Sequence, residues 1–196
     1  DGMGSHRMVT KQVSFYEEMT NVPFIIAGPG IHPRQKPVED LLTQPTIDLL
    51  PTLCELAGIP VPSSKPGISL APFLKGEKQK RQHPYAASEW HSEYEVTVSP
   101  GRMIRSPRYK YTHYLEGNGE ELYDMLKDKG ERRNLAHDPK YSKILAEHRA
   151  LLDDYIRRTQ DDYRSLKVEA DKRWRSHAPG YPNHEGPCAR DIINRK

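Results

Sequence analysis

The stretch Val22-Pro23-Phe24-Ile25-Ile26-Ala27, closed by Gly28-Pro29-Gly30, constrains the fold more than any other part of this chain. It is apolar without alternation, so neither face of a strand formed from it suits water, and the pattern predicts a strand buried on both faces of an α/β sheet. Within 46–58, apolar residues recur at Ile47, Leu50, Leu53, Cys54 and Ala57, one stripe at helical spacing. With Pro51 read as a first-turn residue and Gly58 as the stop, this predicts a helix packed on the sheet, its stripe and Cys54 belonging to the core.

The supply of core residues is thin. Apolar residues make up 35% of the 196-residue chain and charged ones 29%, with 17 prolines, a loop-rich balance for a globular domain. A chain of this length builds one domain, or one incomplete domain with an appendage, burying roughly 70% of its unfolded surface if compact. The net charge of +3 is mild, and the Lys and Arg residues are scattered. No recognition motif and no interleaving of aromatic and basic residues points to nucleic acid, so no nucleic-acid partner is expected. A sulfated polysaccharide would satisfy the same electrostatics. No apolar run approaches the ~18 residues of a membrane span, and no membrane partner is expected. Cys54 and Cys188 define no disulfide framework and no Cys/His metal spacing.

From 59 to 82 the prolines at 60, 62, 66 and 72 describe a surface connection with one helical turn near Leu70–Leu74, and the basic run 75–81 reads as a solvated stretch. Pro84 to His91 reads as a strand whose end presents Glu89, Trp90 and His91 together. A ring face, a carboxylate and an imidazole there could hold a sugar; equally, Trp90 could fill core while its neighbours satisfy backbone groups. Residues 101–114 form two alternating runs joined at Ser106-Pro107-Arg108, a hairpin that Glu121-Leu122-Tyr123-Asp124-Met125 extends. Asp138-Pro139 is a capping carboxylate followed by proline at a first helical position. After it, Tyr141, Ile144, Leu145, His148, Leu151, Leu152, Tyr155 and Ile156 lie on one stripe, so a long amphipathic helix should cover one face of the small sheet, with His148 packed within it. Beyond about 160 the pattern weakens into an irregular tail, in which His177 and His184 lack a third metal ligand.

Near the start, Gly4-Ser5-His6 and Lys11 offer an imidazole on a flexible turn and a point positive charge, a pair suited to a tetrahedral oxyanion. Taken singly, a Lys is most often solvated and a His structural. Their order, through Tyr16-Glu17-Glu18 to the Val-Pro-hydrophobic run ending at Gly30, resembles the sulfatases of the alkaline-phosphatase superfamily, formylglycine-dependent type. The resemblance extends through Asp48-x-x-Pro51-Thr52 to Ala57-Gly58, through Gly67-x-Ser69-Leu70-x-Pro72-x-Leu74, and through Lys110-Tyr111, Glu121-Leu122-Tyr123-Asp124 and Glu131-x-x-Asn134-Leu135-Ala136, covering residues 1 to about 160.

That resemblance implies an α/β fold: the C-terminal part of an alkaline-phosphatase-like α/β/α sheet domain, at 1–98, followed by a small α+β subdomain of antiparallel sheet and one long helix at 99–160, then an irregular tail at 161–196. It implies Lys11 and His6 as catalytic residues and Glu89, Trp90 and His91 as residues near the substrate, while Arg102, Arg105 and Lys110 are structural. It implies calcium or another divalent metal in the intact enzyme, its ligand pair falling just before Asp1, and no metal ligand in this chain. Neither Cys54 nor Cys188 fits Cys-x-Pro-x-Arg, so formylglycine is not expected here either. The chain is thus expected to be the C-terminal part of a longer sulfatase acting on a sulfated carbohydrate, with the missing N-terminal part as its partner and a periplasmic, secreted or lysosomal location. A phosphonate or phosphate-ester hydrolase of the same superfamily and a non-catalytic carbohydrate-binding module are the alternatives.

Overall fold

The computed structural model describes residues 4–7, 14–34, 36–39, 41–63, 66–78, 83–90, 100–115 and 119–166. They fall into two compact units, one drawn from Asp1–Val22, Ser88–Ile104 and Lys110–Lys196, the other from Pro23–Ala87 and Arg105–Tyr109. Four helices are described, α1 at Glu17–Thr20, α2 at Pro45–Leu56, α3 at Ala71–Leu74 and α4 at Ser142–Thr159; the strands are β1 at Ala86–Trp90, β2 at Gly101–Arg105, β3 at Tyr109–Tyr114 and β4 at Gly119–Asp124. The strands form one antiparallel sheet in the order β1-β2-β3-β4.

The hairpin expected at Ser106-Pro107-Arg108 joins β2 to β3. Ser106 N–H donates to Tyr109 O at 2.9 Å, and Tyr109 N–H donates back to the Ser106 hydroxyl at 3.1 Å. Four consecutive residues of β2, Gly101 to Ile104, are buried, so this strand is covered on both faces. Asn134 secures the edge of β4: its Oδ1 accepts from Leu122 N–H at 3.0 Å and from Ala136 N–H at 2.9 Å, while its Nδ2 donates to Glu120 O at 2.9 Å.

The start expected at Asp138-Pro139 is that of a short turn, and the long helix itself begins at Ser142 without a side-chain cap. The Asp138 carboxylate accepts from Lys140 N–H at 3.1 Å, a 3-10 turn over Pro139–Tyr141 leads into α4, and Gln160, in the left-handed region at φ 56°, ends it. Leu145, His148 and Leu152 are its buried residues. His148 donates from Nδ1 to Ile144 O at 2.8 Å, and burial pushes its pKa below the usual 6.5. It is a packed histidine.

In the second unit two expectations are corrected. Val22 to Ala27 belongs to none of the four strands; Val22 is 57% and Ile25 86% exposed. An inner strand draws its backbone hydrogen bonds from neighbours on both sides, and no described strand pairs with this run. Helix α2 forms, but turned over relative to its sequence pattern. Its buried residues are Asp48, Pro51 and Thr52, whereas Leu49, Leu50 and Leu53 are 42%, 45% and 51% exposed.

The polar side of α2 turns inward because it is fully used. Asp48 Oδ2 accepts from Gln44 N–H at 2.7 Å and Oδ1 from Ile68 N–H at 2.8 Å, with His83 Nε2 also 2.8 Å from Oδ1. Thr52 donates to Asp48 O at 2.6 Å and accepts from Leu70 N–H at 3.0 Å. Pro51 sits in the helix interior and not in its first turn, so the Ile47 carbonyl loses its helical donor. Gly67, at φ 114°, packs against that carbonyl so tightly that an added Cβ would lie 2.1 Å from the oxygen.

Candidate active-site segment

The described part of 4–20 is held against the sheet unit by one buried lysine. Lys110 on β3 is 1% exposed, and its Nζ donates to Phe15 O at 2.8 Å while lying 2.6 Å from Glu17 Oε1 and 2.9 Å from Glu131 Oε1. Glu131 completes the clamp, its Oε2 accepting from Glu17 N–H at 2.7 Å. Burial pushes the Glu131 carboxyl above its ordinary pKa, with Lys110 opposing that shift. A buried carboxylate needs such a partner, so Lys110 is a structural cation that fixes the path of the chain through Phe15 and Glu17.

The two consecutive aromatic residues carried by this segment point into different clusters. Phe15 packs with Met103 and Tyr114, and Trp90 lies against that cluster; Tyr16 packs with Tyr123 and Met125. On Tyr16 rests His6, its ring stacked at 3.6 Å and 2°. His6 lies in a 3-10 turn, Ser5–Arg7, at φ 50° and ψ 25°, a left-handed conformation that a non-glycine residue holds only under outside constraint. The Glu18 carboxylate, which accepts from the Ser5 hydroxyl, lies beside it. Burial lowers the His6 pKa, with Glu18 and Asp128 acting the other way, which keeps the imidazole neutral near pH 7.

Lys11 and His91 lie outside the described residues, as does the tail from 167 to 196 with His177 and His184. Glu89 and Trp90, being consecutive on β1, project to opposite faces. Glu89 accepts from Tyr155 Oη at 2.6 Å and lies 3.9 Å from Arg102 Nε. Trp90 is half-buried, its Nε1 enclosed without a hydrogen-bond partner among the described residues. Arg102, 3% exposed, is committed inside the unit: Nε and Nη2 grip Asp161 at 2.6 and 2.8 Å, Nη1 donates to Trp90 O at 2.8 Å, and the guanidinium lies 4.5 Å from the Tyr163 ring centre.

His6, Glu18 and Glu131 bring one ligand atom each within 4.8 Å of one another. This set does not suit a divalent metal, because Glu131 already faces the Lys110 ammonium and accepts the Glu17 amide; a second cation would sit beside the first. Among the described residues this is the one group of three such side chains that the structure brings together. The Lys110–Glu17–Glu131 clamp itself escapes a reading of the sequence. Its trace is the alternation of β3, which puts Lys110 on the same face as Thr112 and Tyr114 and so demands a buried counter-charge.

Residues 4–158 match the family described as N-sulphoglucosamine sulphohydrolase, C-terminal. The chain is 76% identical over its 196 residues to a Delta 4,5-hexuronate-2-O-sulfatase of Bacteroides thetaiotaomicron, covering all of this chain and 41% of that protein. A solved 2-O GAG sulfatase superposes with a TM-score of 0.86 at 78% identity, over 98% of this chain and 42% of that one. A second structure, solved with D-glucosamine-2-N,6-O-disulfate as its substrate, matches at a TM-score of 0.54 and 27% identity over 61% of this chain and 25% of that one. The chain thus spans about 41% of the length of the curated relative that it matches throughout.

Proposed function

This chain belongs to the sulfatases, within the family described as N-sulphoglucosamine sulphohydrolase, C-terminal, and we propose that it is the C-terminal portion of an enzyme that hydrolyses sulfate esters on a sulfated sugar. The observation that carries this reading furthest is the 76% identity, end to end, to a hexuronate-2-O-sulfatase. It supports a 2-O-sulfated hexuronate, of the kind released from a glycosaminoglycan, as the substrate. The divalent metal, which we take to be calcium, and the formylglycine nucleophile would then belong to the remainder of the polypeptide.

What this chain contributes is charge and orientation. As the ester S–O bond breaks, negative charge grows on the bridging and non-bridging oxygens, and a fixed ammonium meeting it lowers the barrier. We assign that task to Lys11. His6, neutral and held by its stack on Tyr16, has a ring nitrogen to offer as hydrogen-bond donor or acceptor to the sulfate or to a ligating group beside it. The sugar would approach near the end of β1, where Glu89 and His91 would meet its hydroxyl and carboxylate groups and Trp90 would back them from the cluster around Phe15.

The test is sulfate release by the full-length protein from an unsaturated 2-O-sulfated hexuronate disaccharide, beside a 6-O-sulfated glucosamine, an aryl sulfate and a phosphonate monoester. Preferential release from the first is expected. Turnover of the phosphonate alone, or of nothing, would refute the assignment.

A further inference from the structure

Ahead of α2, within the second unit, His32, Arg34, Lys36 and Glu39 line an open cavity of about 680 Å³ whose other wall is Phe73 of α3. That size lies in the range of small-molecule clefts. Its cations are held in place before any ligand arrives. His32 N–H donates to Leu74 O at 2.7 Å, and its ring lies over Gly76, where φ is 86° and an added Cβ would come within 3.1 Å of the imidazole. The Arg34 guanidinium sits over the Phe73 ring, 4.2 Å from the ring centre, and Pro33 and Pro37 fix the backbone φ beside these residues. The charges do not cancel: Arg34 and Lys36 are exposed, neither meets a carboxylate among the described residues, and in the lining Glu39 alone opposes them. Single surface cations are ordinarily just solvated. Here one of the two is held over an aromatic ring, which shields that side from water and leaves its N–H groups for an anion.

We propose that this cavity binds a sulfated sugar unit of an acidic polysaccharide, with Arg34 and Lys36 on the sulfate or carboxylate and His32 and Glu39 at neighbouring hydroxyls. None of the residues assigned above to the reaction lines it. The planar guanidinium can take such an anion through two parallel hydrogen bonds, and Lys36 adds a point charge. A sugar suits the lining better than a bare ion does. The cavity is large for one tetrahedral anion, and the Glu39 carboxylate repels a free anion but accepts from hydroxyl groups. The inference rests on the reading of this chain as part of an enzyme that acts on sulfated sugars: a chain sulfated on many units offers others to be held besides the one that is cleaved.

Calorimetric titration of the full-length protein tests it, with a heparin-derived tetrasaccharide whose non-reducing end is saturated and unsulfated, so that it offers sulfates to hold and no terminal 2-O-sulfate to cleave. Arg34→Gln combined with Lys36→Gln should raise its Kd at least about 10-fold. Phe73→Leu, which removes the ring under Arg34 and keeps an apolar side chain, should raise it about 3-fold. Arg157→Gln combined with Arg158→Gln removes the same charge from an exposed stretch of α4 and should change Kd by less than about 2-fold. No binding by the wild-type protein, or an unchanged Kd in the Arg34 and Lys36 variant, overturns the proposal. So does an equal loss in the α4 variant, which would mean attraction by net charge alone, or inorganic sulfate bound as tightly through the same two residues, which would make the cavity a site for free anions. Sulfate release measured on the same wild-type preparation keeps the two claims apart: selective loss of binding in the Arg34 and Lys36 variant of a protein without sulfatase activity would fell the function and leave this site standing.

Discussion

The two units of this chain differ in how fully they enclose their apolar residues. Around the four-stranded sheet, Ile104, Leu122 and Leu152 are 0% exposed and Tyr111 1%, and the charges that go inward, Lys110 and Arg102, each meet a carboxylate. In the other unit Ile25, Leu49, Leu50, Leu53, Ile59 and Val61 all stand more than 40% exposed while Asp48 is fully enclosed. The difference teaches that hydrophobic pattern fixes which face of an element is apolar, and that the elements available fix whether that face is covered. An antiparallel meander finds its pairing partners within one short stretch of chain. A doubly buried strand and the helix above it need neighbours that come from elsewhere in the sequence.

The sharpest way to break this contrast is to remove the buried cation of the well-packed unit. Lys110→Met leaves Glu131 enclosed opposite an apolar side chain, and about 3–5 kcal/mol of stability should be lost, read from urea denaturation of the full-length protein. A loss below about 1 kcal/mol would mean that the clamp on Glu17 and Glu131 is loose.

Next in size comes a paired truncation. Leu152→Ala, at a position 0% exposed, should cost about 2–5 kcal/mol. Leu53→Ala is the informative partner: a position as open as it stands here would change stability by no more than about 0.5 kcal/mol, whereas a position covered in the full-length protein would approach the cost of Leu152→Ala. Equal costs sharpen the comparison into a difference of what each unit brings with it. A negligible cost at Leu53 would show that the leucine face is plain surface.

The smallest effect is a titration. His148 has its folded-state pKa lowered by burial, so the unfolded chain binds the extra proton first and stability rises with pH across that interval. Its contribution is complete above the unfolded value near 6.5 and is lost as the pH falls from there through the folded value. His148→Gln should flatten the stability profile of the sheet unit below about pH 6.5 relative to wild type. An unchanged slope would place the acid sensitivity in other groups.

What could be read in advance divides along the same line. The hairpin at Ser106–Tyr109, the capped start at Asp138 and the stripe through Leu145, His148 and Leu152 are local signals, and local signals survive because their partners lie a few residues away. The strand at 22–27 and the stripe of α2 were equally clear as patterns, but their outcome depended on groups far off in sequence. Pro51 illustrates a local misreading: it stands in the helix interior, and Gly67 packs against the carbonyl it frees. At the candidate site, His6 and the Tyr16-Glu17-Glu18 motif were visible as residue types at fixed spacing. The stack of His6 on Tyr16 and the clamp from Lys110 through Glu131 were not: the stack follows from a left-handed turn that residue types do not announce, and the clamp joins Phe15 and Glu17 to positions about a hundred residues away.

The most direct test of the account is Lys11→Ala in the full-length protein, with kcat/KM for sulfate release from the 2-O-sulfated hexuronate disaccharide measured beside the urea midpoint. A sulfatase that uses this segment to meet sulfate charge should lose about 10²–10³-fold in kcat/KM while the midpoint stays within error of wild type. Turnover unchanged by the substitution, or lost only in step with stability, would contradict the assignment of this segment to the active site.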